Sequence, residues 1–190
     1  MVDGTAGRVA RLGAHWGVFL GLAGAVIVLD QLTKSWLVAN VGKGEVRQVF
    51  GDWVRLVYHQ NTGALFGMFR DQAVLFGLIS IGVIGLIVVY HARTGRSLYM
   101  SIALGFLFGG AIGNLIDRLR LGYVIDWVDM GIGSSRFYTF NVADSAISTA
   151  IALLLLLGLF AERFTRRPAA ADAGTVGHAE TATAGTERPR

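Results

Sequence analysis

The sequence predicts a membrane α-helical protein: four transmembrane helices with a small extracytoplasmic β-sheet platform and a second external loop. Three observations lead there. Hydrophobic residues make up 53% of the 190 positions and charged residues only 16%, with a mean hydropathy of +0.53, whereas soluble domains carry about 25% charge. Four stretches reach the roughly 20 apolar residues that a bilayer crossing requires. The ionisable residues that border these stretches gather at one end of them. Four such runs in a chain this short leave too little polar surface to clothe a soluble core.

The first span is expected over residues 16–38, following Arg8 and Arg11, with its clean apolar run ending at Leu29. Its core has the length of a secretory signal. It continues into Asp30-Gln31-Leu32-Thr33-Lys34 rather than a small-residue cleavage site, so it is expected to be retained. The second span covers residues 74–90, between Arg70-Asp71 and His91 with Arg93. The third covers 98–119, and the fourth covers 142–160 with its leucine block Leu153 to Leu157. Gly17 and Gly21, and Gly105, Gly109 and Gly113, recur at helical spacing. Small residues so placed let helices approach closely, so both sets are expected on packing faces.

Two segments fall outside the spans. In residues 42–70, Val46, Val49, Val54, Leu56 and Val57 with Trp53 and Tyr58 predict short strands broken at Gly51-Asp52. In residues 120–139, the run Tyr123 to Val128 reads as a strand and Gly131 to Ser135 as a turn or loop. Both are rich in aromatics, as groups at headgroup depth are. An even number of spans puts both termini on one side. The arginines Arg93 and Arg96 of the short second connection make that side the cytoplasm. From Pro168 the chain turns to Ala, Gly, Thr and scattered charge, which cannot build a core. A membrane domain over 1–167 and a disordered tail over 168–190 follow.

Several chemistries are excluded. The chain has no cysteine, so disulfides, thiol catalysis and thiolate metal sites are out. The net charge of +4 is scattered over loops and tail, without the aromatic-interleaved basic stripe of a nucleic-acid binder. His15, His59, His91 and His178 show no ligand spacing, and no metal or cofactor is expected.

The chemistry concentrates where the spans meet the external segments. Asn114, Asp117 and Arg118 leave the third span, and Asn141 and Asp144 enter the fourth. Asp126 and Asp129 lie between, and Asp30 and Lys34 end the first span on the same side. Each has a structural explanation. Asp30 and Lys34 form a favourable i, i+4 pair. Asn141 suits an N-cap, with Asp144 near the positive helix start. Asp117 beside Arg118 balances charge, and Asn61-Thr62-Gly63 reads as a turn. In combination they suggest more. Two carboxylates at an apolar boundary do not both ionise freely, and the pair retains a proton. One ionised and one protonated carboxyl together activate water and protonate a leaving amine. The chain has no HExxH or GxSxG motif, so carboxylates are the remaining candidates for hydrolysis. Asp117, Asp126 and Asp129 all stand open as partners of Asp144. The alternative is a proton- or ion-coupled transporter, whose carboxylates sit near the midplane between repeats. Here the middles of the spans are apolar and no repeat is found.

Five blocks resemble, in order, the signature segments of bacterial lipoprotein signal peptidases, the type II signal peptidases. They are Asp30-Gln31-Leu32-Thr33-Lys34, Asn61-Thr62-Gly63-Ala64-Leu65-Phe66-Gly67, the run Gly109 to Arg118, Val124-Ile125-Asp126-Trp127, and Phe140-Asn141-Val142-Ala143-Asp144-Ser145. The resemblance implies a monomeric aspartic endopeptidase of the cytoplasmic (inner) membrane, with its active site on the extracytoplasmic face. It implies cleavage of prolipoproteins before a diacylglyceryl-modified cysteine. It also implies Asp126 and Asp144 as the catalytic pair. Asn61, Asn114, Arg118 and Asn141 are implied as the shell that shapes the site and holds substrate. Asp30, Lys34 and Asp117 are implied as its support.

Overall fold

The computed structural model describes residues 3–63, 73–94 and 97–165. The expectations for residues 64–72, for Arg96 and for the tail 168–190 lie outside the described residues. Four helices and four strands follow one another as α1 (Asp3–Asn40), β1 (Val46–Phe50), β2 (Val54–Asn61), α2 (Ala73–Thr94), α3 (Leu98–Leu121), β3 (Val124–Ile132), β4 (Ser135–Arg136) and α4 (Val142–Thr165). Each helix contains a stretch long and apolar enough to cross a membrane: Gly13–Asn40, Val74–Arg93, Leu98–Leu121 and Val142–Phe160. Leu78, Leu86, Leu155 and Leu159 stand exposed on their outer faces, as side chains meeting lipid should.

Helix α3 is the centre of the bundle and packs against the other three. Of its span 44% is buried, against 17–22% for the others. Glycine makes this possible. A Cβ on Gly105 would stand 2.9 Å from the Phe19 carbonyl oxygen, and one on Gly109 2.8 Å from that of Ala23. On the opposite face, a Cβ on Gly110 would stand 2.5 Å from the Ala143 carbonyl oxygen. Gly105, Gly109 and Gly113 thus mark a packing face as expected. Gly17 and Gly21 do not: a Cβ on either meets nothing within 4 Å. The close approach is made by α3's glycines against the backbone around Phe19 and Ala23, and one bare surface per interface suffices.

The strands form one antiparallel sheet in the order β1-β2-β3-β4. The break at Gly51-Asp52 is the β1–β2 turn, with Gly51 at φ 54°. The second external segment is more regular than its sequence suggests. β3 runs on to Ile132, and the glycine-rich stretch supplies only the tight turn to β4, with Gly133 at φ 54°. β3 therefore joins the first external segment in a shared sheet, paired with β2 from Val54↔Met130 to Asn61↔Val124. Leu37, Val41 and Ile125 form a buried cluster with Leu56, Tyr58, Tyr123 and Trp127 packed against it. That cluster seats the sheet on the end of α1.

Candidate active site

Helix α3 ends where Gly122 takes the left-handed conformation (φ 77°) and returns its N–H to the Arg118 carbonyl at 3.1 Å. A glycine cap of this kind turns the chain sharply without a Cβ penalty. The chain then doubles back as β3, and the Ile125 N–H donates to Asp117 Oδ2 at 3.0 Å. The next residue, Asp126, is thereby brought over the last turns of α3.

Helix α4 begins with a capping box. The Asp144 N–H donates to Asn141 Oδ1 at 2.9 Å, and the Asn141 N–H donates to Asp144 Oδ2 at 3.2 Å. This is the reciprocal arrangement that satisfies two orphan donors at a helix start. The next free donor, the Ala143 N–H, is taken by Asp30 Oδ1 of α1 at 3.0 Å. The N-cap reading of Asn141 is therefore correct, and it does not exhaust the residue. Asn141 is fully buried, and its Nδ2 donates to Asp126 Oδ1 at 2.7 Å and to Asn114 Oδ1 at 3.1 Å. Asn114 Nδ2 donates to Asp144 Oδ1 at 2.8 Å, and Asn61 Nδ2 at the end of β2 donates to Asp126 Oδ2 at 2.9 Å. Asp126 and Asp144 are thus tied to the same asparagine and line the same cleft, of about 300 Å³.

The other acids of this end are neutralised. Lys34 Nζ is almost fully buried and lies 2.8 Å from both Asp30 Oδ2 and Asp117 Oδ2. Its third proton goes to Asn114 Oδ1 at 3.2 Å. An ammonium has three donors, and all are used. Asp129, one of the candidate partners of Asp144, is held by Arg55 Nη2 at 2.7 Å and Arg136 Nε at 3.0 Å. Burial alone would raise its pKa, but these two guanidiniums outweigh burial and hold it below the usual value. Asp129 belongs to a clamp between the hairpins and not to the cleft. Among the described residues, Asp126 and Asp144 have no ion-pair partner, and each hydrogen bond found for them comes from an amide.

The electrostatic consequence is clearest at Asp126. Burial, then the charge of Asp144, push its pKa from 3.8 to about 7 against the opposing amide hydrogen bonds and Lys34. Arg118 lines the cleft, its guanidinium 5.7 Å from the centre of the Phe76 ring. The structure brings together all the sequence-predicted residues: Asn61, Asn114, Arg118, Asp126 and Asp144 on the cleft, Asn141 directly behind, and Asp30, Lys34 and Asp117 as a buried ionic trio beneath. Sequence reasoning missed Phe76, Ser80 and Tyr138, which also line the cleft. None stands in a spacing pattern that marks it beforehand. Below the polar groups the wall is apolar, formed by Ile79, Val83, Leu107 and Ile147 from α2, α3 and α4.

Fold and cleft together define a multi-span helical membrane protein with a carboxylate-bearing site at one end of its bundle. Within that class the kinship is specific. The profile of the signal peptidase (SPase) II family matches residues 22–160, and the chain belongs to that family. It is 39% identical to the lipoprotein signal peptidase of Syntrophomonas wolfei subsp. wolfei over 76% of this chain and 91% of that protein. It is 40% identical to the lipoprotein signal peptidase of Streptococcus pyogenes serotype M1 over 69% of this chain and 86% of that protein. The fold matches a bacterial membrane enzyme solved by the in meso method at 2.3 Å resolution, with a TM-score of 0.73, 28% identity, and coverage of 82% of this chain and 94% of that one. A second bacterial membrane enzyme, solved by the same method at 1.9 Å, matches with a TM-score of 0.69 and 30% identity over 75% of this chain and 93% of that one. The chain is a membrane signal peptidase, and the expected peptidase activity stands over the transporter alternative.

Proposed function

We propose that Asp126 and Asp144 are the catalytic pair of an aspartic endopeptidase that cleaves prolipoproteins before a diacylglyceryl-modified cysteine. One observation carries the proposal: of the acids at this end, these two are held by amides instead of cations and open onto one cleft. Asp30 and Asp117 are each committed to the Lys34 ammonium. A pair held by neutral donors, with Asp126 raised to about 7, retains one shared proton near neutrality.

The pair then performs hydrolysis without a covalent intermediate. The ionised carboxylate takes a proton from water as the water oxygen bonds to the scissile carbonyl carbon. The protonated carboxyl gives its proton to the carbonyl oxygen, producing a neutral gem-diol. The carboxyl that took the water proton then passes it to the amide nitrogen as the C–N bond breaks. The proton returned by the collapsing diol restores the starting state. Asn61, Asn114 and Asn141 fix the carboxylates, and Arg118 holds substrate backbone. The ionic trio of Asp30, Lys34 and Asp117 braces the three helices beneath.

The apolar wall running down α2, α3 and α4 supports a substrate that arrives as a membrane-embedded helix, with its diacyl chains in the adjacent leaflet. The sheet forms a platform over that groove. Both termini lie in the cytoplasm, the site opens on the extracytoplasmic side, and a single chain supplies every residue of it. The test is cleavage of a diacylglyceryl-modified precursor by the purified protein, compared with the same precursor unlipidated. Cleavage of the lipidated form alone is expected. Equal cutting of both overturns the substrate assignment.

A further inference from the structure

An asparagine side chain presents an oxygen on one edge and an NH2 on the other, and the acid pair is held only where the NH2 faces it. Which edge points where is set by any partner that can only donate. For two of the three asparagines that partner is backbone. The Gly63 N–H donates to Asn61 Oδ1 at 3.1 Å, and the Asp144 N–H donates to Asn141 Oδ1 at 2.9 Å. In each case Nδ2 is left to face Asp126. Among the described residues, no backbone N–H reaches the Asn114 side chain. Its Oδ1 accepts instead from two side chains, Lys34 Nζ at 3.2 Å and Asn141 Nδ2 at 3.1 Å.

Those two donors are not equal. Asn141 Nδ2 divides its two hydrogens among Asp126 Oδ1 at 2.7 Å, Asn114 Oδ1 at 3.1 Å and the Ile125 carbonyl at 3.3 Å. The Lys34 ammonium has one hydrogen for each of its three partners and no acceptor at all. Asp30 and Asp117 grip it at 2.8 Å, so it is fixed where it points at Asn114. Turning the Asn114 amide over would set its Nδ2 against that ammonium, donor to donor. It would also set Oδ1 against Asp144 Oδ1, where Nδ2 now donates at 2.8 Å. Two oxygens so close need a proton between them. The pair's proton would then be held against Asn114 and withheld from the scissile bond.

Resting on the aspartyl reading above, we propose that Lys34 is a positioning residue for the reaction: its ammonium fixes the Asn114 amide so that Asp144 meets an N–H and never an oxygen. Lys34 is buried and lies outside the cleft lining, so it acts through Asn114 and touches no substrate. This role is separate from bracing the helices, which the two ion pairs would accomplish without the third hydrogen bond.

The experiment measures kcat and KM on a diacylglyceryl-modified precursor, and melting temperature, for variants of the full-length protein. Lys34→Met alone strands two acids, so the lysine is removed together with their charge, as Lys34→Met/Asp30→Asn/Asp117→Asn. The amide oxygens introduced there can still accept from the Ala143 and Ile125 N–H groups, and neutral replacement of a buried ion pair is often without cost to folding. A second neutral variant carries Lys34→Gln in place of Lys34→Met and so keeps an N–H for Asn114. The Lys34→Met form is expected to melt near wild type with kcat lowered about 10–100-fold, the range for groups that orient a ligand from behind. KM should stay within about twofold, and the Lys34→Gln form should recover most of the loss. In an Asn114→Ala background the same Lys34→Met change should lower kcat by no more than about twofold, because its effect passes through the missing amide. A brace would act in both backgrounds. Wild-type kcat in the Lys34→Met form, equal losses in the two neutral forms, or a loss undiminished by Asn114→Ala overturns the proposal. Failure of both neutral forms to fold overturns it too, since the charges would then serve the fold alone. Asp126→Asn separates the two levels: if it is inactive while the Lys34→Met form is normal, only the lysine fails. If it is fully active, the aspartyl reading fails and takes the lysine with it.

Discussion

Asp117 and Asp126 lie nine positions apart, are both buried, and serve opposite ends. Asp117 faces Lys34 at 2.8 Å and, with Asp30, completes an ionic trio whose members come from α1 and α3. Asp126 faces the amides of Asn61 and Asn141 and shares its cleft with a second acid held the same way. The residue type and the low-dielectric setting are shared. The counter-group differs, and it decides whether a carboxylate acts as a fixed charge or as a store for a proton. A lysine partner favours the ionised form, whereas neutral amides compensate only part of the desolvation.

The contrast is most directly tested by removing charge from each group. Asp126→Asn, and equally Asp144→Asn, should lower kcat by about 10³-fold or more while the protein still inserts and folds. Wild-type activity should fall above about pH 7, as the pair loses its shared proton. The stability sign is opposite to that of a salt-bridged acid. Asp126 is harder to ionise folded (about 7) than unfolded (3.8), so stability declines as pH rises between those values. Asp126→Asn removes that decline. It should melt higher than wild type at about pH 8 and show no advantage at about pH 3, as thermal unfolding in detergent will show. A lower melting temperature at the alkaline pH would contradict the assigned environment.

Lys34→Met reverses the pattern. It strands Asp30 and Asp117 as uncompensated buried charges, a change that costs about 3–5 kcal/mol. The expected result is loss of folded protein together with activity, measured as a drop in melting temperature and recovered yield. A variant that melts like wild type would make the trio dispensable.

A smaller effect tests how the two groups are held at their separation. Helix α3 contributes to both, Asp117 to the trio and Asn114 to the amides around the pair, and it reaches α1 through Gly105 and Gly109. Gly109→Ala places a Cβ 2.8 Å from the Ala23 carbonyl, where overpacking costs about 1–3 kcal/mol. Gly17→Ala meets nothing within 4 Å and should stay within about 0.5 kcal/mol of wild type. Equal melting temperatures for the two variants would mean that the α1–α3 approach is not set by these glycines.

Much of this was open to reading before any coordinates. Span length and apolarity are properties of consecutive residues, so the four helices, their order and the polar end follow from the chain by itself. The ordered motif blocks carried the family, and the β-branched and aromatic residues of 46–58, broken at Gly51-Asp52, carried the first two strands. What the chain alone left undecided was the fate of each acid. Asp117, Asp126 and Asp129 are equivalent on paper, all at or just past the end of the third span. Their partners Lys34, Asn61 and Arg55 lie 83, 65 and 74 positions away. Only the packing of α1 against the glycine face of α3, and the pairing of β2 with β3, bring each partner to its acid. Likewise Gly17 and Gly105 look alike in sequence, and which of them meets another helix depends on how the bundle rotates. Local periodicity determines the elements, and contacts across distant segments determine charge state, because a carboxylate's ionisation answers to what lies within a few ångströms, wherever in the chain that came from.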